Sequence, residues 1–134
     1  MTFRIEWIVA GLAAFVAAAP AFAQAPVAGP PGSSLFSTYC ASCHGPSARG
    51  DAPLASVMRI RPADLTQIAL RANGTFVPAD VARIIDGRKP LKGLGGGEMP
   101  VWGDAFSRSA DSVPADEKIK RLVAFLESMQ RTTH

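Results

Sequence analysis

The sequence predicts an all-α domain of short helices joined by long loops. Three observations carry that expectation. Apolar residues recur at helical spacing in four segments, and no run alternates convincingly with period two. Two irregular stretches, 45–63 and 88–111, are longer than so small a chain fills with its own side chains. The last point implies that a bound prosthetic group completes the core, since a mature chain of about 110 residues buries only about two thirds of its unfolded surface.

Residues 1–23 are read as a cleaved signal peptide. Arg4 opens a polar start, an apolar stretch runs from Trp7 to Ala19, and Pro20-Ala21-Phe22-Ala23 ends in a small-x-small cleavage pattern. The apolar core falls short of the ~20 residues of a membrane span, and Pro20 interrupts its end. Cleavage after Ala23 is therefore expected rather than retention as an anchor, with no stable membrane insertion afterwards. Residues 24–31 (QAPVAGPP) form a Pro/Gly-rich lead-in, and 32–134 the folded domain. Export places both cysteines in an oxidising compartment.

Within the domain, a helix over 34–43 puts Leu35 and Tyr39 on one face. Asp64 is a candidate N-cap with Gln67 three residues on; Leu65, Ile68 and Ala69 follow, and Asn73-Gly74 stops the segment. Pro78 suits a first helical position, Val81, Ile84 and Ile85 keep helical spacing, and Gly87 ends that helix. The clearest helix comes last. Ile119, Leu122, Val123, Leu126 and Met129 make one stripe, with Asp116/Lys120 and Glu117/Arg121 paired at i,i+4 outside it.

Composition excludes several function classes. At 48% hydrophobic residues the chain is too apolar for a disordered polymer. Its formal charge of +3 is spread along the chain, with no Lys/Arg stripe interleaved with aromatics, so nucleic acid is not an expected partner. The run Gly93-Leu94-Gly95-Gly96-Gly97 lacks the strand, and the Lys-Ser/Thr sequel, of a phosphate-binding loop. Its glycines suit a tight turn beside a flat ligand. The acidic residues form no convincing catalytic pair. Arg88, Lys89 and Lys92 read as solvated charges, or as a positive rim for an acidic partner.

The chain has two cysteines and two histidines, and Cys40, Cys43 and His44 fall within five positions as C-x-x-C-H. Two thiols three residues apart on a helical turn project the same way, and the imidazole stands beside them. That arrangement suits thioether attachment of haem, with His44 as an axial iron ligand. The alternatives are a redox-active C-x-x-C and a short-loop disulfide; a thioredoxin-like site wants a preceding strand, and none is present. For the second axial position, Met1 leaves with the signal, Met58 lies close after His44, and Met129 belongs to the last helix. Met99 remains, in a loop able to carry its sulfur to the opposite face. His134 would have to thread the terminus back.

With these residues in place, the segment 32–129 resembles the small monohaem c-type cytochromes with His/Met ligation. Gly32, Leu35 and Phe36 match that family's first helix, Leu122 to Met129 (LVAFLESM) its last, and Met99-Pro100-Val101-Trp102-Gly103 the loop bearing its distal methionine. The resemblance implies the α-helical cytochrome c fold around one covalent haem c, with the first and last helices crossing. It also implies a proline carbonyl accepting the N–H of His44, with Pro53 the first candidate and Pro62 the alternative. Trp102 is expected either near a haem propionate or as a shield over the haem edge.

The expected function is electron transfer in the periplasm, as a carrier and not an enzyme. The partners are redox proteins: a dehydrogenase-type donor and an oxidase- or reductase-type acceptor, unless the chain serves as the cytochrome subunit of such a complex. One alternative is a haem sensor or peroxidase-like protein in which Met99 leaves the iron. A weaker one is a haem-free thiol oxidoreductase using Cys40 and Cys43.

Overall fold

A computed structural model describes residues 29–88 and 99–131. The expected signal peptide, the lead-in up to residue 28, the Gly93–Gly97 run with Lys89 and Lys92, and His134 lie outside the described residues. The described residues form helices and no strand, and none of these helices is long and apolar enough to cross a membrane.

Helix α1 (Gly32–Tyr39) starts after the extended Pro31, whose carbonyl accepts Leu35 N–H at 3.1 Å. The expected 34–43 helix is in fact two. Cys40, at φ −116° and ψ −34°, ends α1 and begins the four-residue α2 (Ala41–His44). The 45–63 stretch, expected to be irregular, contains a 3₁₀ turn at Pro53–Ser56. Asp64 is the cap foreseen, accepting Thr66 N–H at 2.9 Å, and a 3₁₀ turn at Leu65–Gln67 runs on into α3 (Ile68–Arg71). Helix α4 (Pro78–Asp86) begins on proline and stops at Gly87 in the left-handed conformation, φ 68°.

The 88–111 stretch is not wholly irregular either, because Trp102–Ser107 forms α5. Its N-cap, Val101, offers no side-chain cap and Gly103 weakens its interior, so no local sequence signal marks it. Helix α6 (Ala115–Ser128) is the longest, and α1, α4 and α5 all pack on it.

The core joins Leu35 and Phe36 of α1, Val81 and Ile85 of α4, Phe106 of α5, and the α6 stripe. Burying each such side chain stabilises the fold by about 1.5–3 kcal/mol. The α1–α6 crossing depends on Gly32. A Cβ there would overlap the Arg121 carbonyl oxygen and come within 2.8 Å of Phe125 Cβ. Phe36 and Phe125 meet beside it, ring centroids 5.4 Å apart. On the outer face Arg121 donates to Glu117 at 2.9 Å as expected, whereas no ion pair joins Asp116 and Lys120 among the described residues.

One α6 residue departs from the amphipathic pattern. Lys118 is fully buried, donating from Nζ to Ser109 Oγ at 2.6 Å and to Asp111 at 2.7 Å, with the Phe106 ring 5.5 Å away. Buried cations persist when paired and hydrogen-bonded in this way.

Candidate functional site

The α1–α2 break organises the cysteines. Cys40 carbonyl accepts from Cys43 N–H at 3.2 Å and from His44 N–H at 2.9 Å, which winds C-x-x-C-H into one turn. Cys40 and Cys43 are both half-buried and unbridged, so neither forms the short-loop disulfide. Burial, then the neighbouring Cys43, pushes the Cys40 thiol up to about 11. A reactive redox cysteine requires the opposite, a thiol whose proton leaves easily.

His44 Nδ1 lies 3.1 Å from the Ala63 carbonyl oxygen. A carbonyl only accepts, so the proton is on Nδ1 and Nε2 keeps its lone pair. Burial holds the imidazole pKa below its ordinary value, against the raising effect of the Ala63 bond, which favours the neutral, ligand-competent form. The acceptor is therefore neither proline named from the sequence. Pro53, itself exposed, opens a 3₁₀ turn and its carbonyl accepts from Ser56 Oγ at 2.7 Å. Pro62 sits one residue too early: its carbonyl is turned toward Gly50 instead. Two further bonds brace this side, Gly50 N–H to the His44 carbonyl at 2.7 Å and Arg61 Nε to the Gly50 carbonyl at 3.2 Å.

Cys40, Cys43 and His44 open onto a cavity of about 690 Å³, within the ~300–1,000 Å³ typical of cofactor and small-molecule sites. Its walls are predominantly apolar, supplied by side chains such as Leu65, Ile68, Val81, Ile85 and Leu122. Met99 and Trp102 reach the same cavity from the far side of the sequence, and Pro62 also lines it. Trp102 stacks on Phe106 at 5.6 Å and meets Tyr39 edge-on at 5.5 Å, so the wall it forms is braced by an aromatic cluster.

Sequence reasoning missed three features of this cavity. Met58, set aside for its short distance from His44, lines it as well, whereas Met129 packs on the core. Arg61 and Arg71 also line it, the latter donating to the Asp64 carbonyl at 2.8 Å. No local signal pointed to any of them, since each arrives through the path of the 58–71 segment.

The arrangement fits a flat, largely apolar prosthetic group. Two thiols and an imidazole lie along one helical turn, and two thioethers share their cavity. Arg61 and Arg71, with Asp80, are the charged residues on its predominantly apolar lining, the two arginines being suited to a carboxylated ligand. Among the described residues no group of three or more His, Cys, Asp or Glu side chains could hold a bare metal ion. Neither the search of curated proteins nor that of solved structures gives a significant match. Residues 30–130, however, match the family model described as Cytochrome c, and the chain belongs to that family, whose members hold haem c covalently through the C-x-x-C-H spacing seen at Cys40 and Cys43.

Proposed function

We propose that this haem-based electron-transfer protein is an exported one-electron carrier, or the cytochrome subunit of a redox complex, with His44 and Met99 as axial ligands. The observation that supports it is the convergence of Cys40, Cys43, His44 and Met99 on one apolar cavity. When bound, haem iron supplies a ferric/ferrous couple. Cys40 and Cys43 tether it by thioether bonds, so an exported protein does not lose it. His44 offers Nε2, its orientation fixed by Ala63. Met99 offers a soft thioether that favours the ferrous state and raises the potential. Arg61 and Arg71 offer cations to the propionates, and the apolar walls exclude water. Trp102 and the aromatics behind it keep that wall closed.

With His44 and Met99 both holding the iron, the protein would carry electrons and leave bond-making chemistry to its partners, a dehydrogenase-type donor and an oxidase- or reductase-type acceptor. The signal-like residues 1–23 support a periplasmic setting. The test is carbon monoxide binding to the ferrous holoprotein at neutral pH, together with a reductive titration. Uptake of one electron per chain with sluggish or absent carbon monoxide binding supports the carrier. Rapid binding favours the alternative, a sensor or peroxidase-like protein in which Met99 leaves the iron.

A further inference from the structure

Gln130 lies just beyond α6, yet its side chain is spent on a distant part of the chain. Nε2 donates to the Leu65 carbonyl at 2.8 Å and to the Leu126 carbonyl at 2.7 Å, and Oε1 accepts from Ala69 N–H at 2.9 Å. The amide orientation is forced, because both carbonyls can only accept and Ala69 N–H can only donate. The next residue adds a fourth tie, Arg131 N–H to the Thr66 carbonyl at 2.9 Å. The end of α6 thus grips 65, 66 and 69 across more than 60 positions of sequence.

The gripped segment is the one that presents the acceptor for His44. Ala63 lies two residues before Leu65, and the Leu65 N–H is bonded on its other side to the Ala48 carbonyl at 2.7 Å. Ala48 pins the segment to the loop after His44, and Gln130 pins it to α6. Both anchors meet at Leu65, two residues beyond Ala63, and so limit how far the Ala63 carbonyl drifts from Nδ1.

We propose that Gln130 is a positioning residue for His44, acting through the 63–69 segment. The proposal rests on the reading of His44 as an axial ligand. The Nδ1–H bond to a carbonyl makes an imidazole a stronger donor and so favours ferric iron. Loosening the grip weakens that bond and raises the reduction potential. A tie that merely staples two parts of the fold would lower the melting temperature and leave the potential alone.

The test compares wild-type holoprotein with Gln130→Ala and Gln130→Glu. Midpoint potential, solvent exchange of the His44 Nδ1–H proton in the ferrous state, and thermal melting are all measured. Gln130→Glu keeps the acceptor for Ala69 and the side-chain volume but loses the amide donor, so it carries the test if Gln130→Ala fails to fold. Gln130→Ala is expected to raise the potential, and both variants to speed Nδ1–H exchange roughly tenfold, the effect of losing about one net hydrogen bond. The charge that Gln130→Glu adds acts on the potential in the opposite direction, so exchange is that variant's readout. Lower melting with unchanged potential and exchange overturns the proposal and leaves the ligand reading standing. A wild-type holoprotein with no iron-bound His44 signature brings down the ligand reading, and the proposal with it.

Discussion

The imidazole of His44 and the carbonyl of Ala63 are joined by a 3.1 Å hydrogen bond that spans nineteen residues of sequence. That bond fixes the tautomer, and with it which ring nitrogen faces the cavity. An imidazole held from behind in this way keeps a fixed orientation toward the cavity. The cavity it faces is also lined by two thioethers, Met99 and Met58, of which Met99 is the proposed ligand.

Replacing Met99 with Ala removes the proposed second axial ligand. The holoprotein is expected to lose the weak far-red ferric band of sulfur ligation, bind carbon monoxide quickly when ferrous, and show a lower reduction potential. Met58→Leu, close to volume-conserving, should leave all three unchanged. Absorption spectroscopy and potentiometry on the two variants decide the assignment, and reversed behaviour would move the ligand to Met58.

Gly32→Ala tests the crossing of α1 and α6. Alanine has the better helix propensity by about 1 kcal/mol, so an isolated helix would gain from the change. Here its Cβ would overlap the Arg121 carbonyl, which is backbone and cannot swing aside. A net loss of about 1–3 kcal/mol is expected, read as a lower denaturant midpoint with an unchanged slope.

Lys118 is buried while its partner Asp111 is half exposed, so the two sides of the pair respond differently to mutation. Lys118→Met replaces a buried cation with an apolar side chain of similar reach. The outcome expected is near neutrality, or a gain of about 1–4 kcal/mol. Asp111→Ala leaves the ammonium buried with Ser109 and the Phe106 ring for company, and should depress the melting temperature markedly. Equal losses from both substitutions would contradict this picture.

The same pair sets an acid limit. The hydrogen bond from Lys118, followed by the Val113 N–H and the Lys118 charge, holds the Asp111 carboxyl below its ordinary 3.8. A depressed folded-state pKa means that the unfolded chain binds the extra proton first. The stabilisation is therefore complete above the unfolded value and fades as pH falls from about 3.8 through the folded value. Asp111→Asn removes this titrating carboxyl. Melting temperatures of wild type and variant should converge as the pH is lowered through that window, while wild type is the more stable at neutral pH.

What could be read from the sequence was what the chain encodes locally. C-x-x-C-H needs only five consecutive residues, the Asp64 cap three, and the α6 stripe repeats every turn. Gly87 and Pro78 mark the ends of α4 through their own backbone preferences. The features missed depend on residues remote in sequence. Helix α5 forms because Phe106 is buried against Tyr39 and Trp102, not because of any signal in its six residues. Lys118 reads as a surface position until Ser109, Asp111 and Phe106 fold over it. Ala63 contributes only a backbone carbonyl, an atom that every residue carries, so only the course of the chain could distinguish it from Pro53 or Pro62.

One covalent haem held by His44 and Met99 is the core of the proposed function. Its most direct test is the absorption spectrum of the holoprotein, ferric and ferrous, recorded before and after acid extraction of free haem. The haem is expected to stay with the chain, and the ferric form to be low-spin with the far-red band of sulfur ligation. Haem that extracts freely would contradict the attachment at Cys40 and Cys43, and a high-spin ferric spectrum would contradict ligation by Met99.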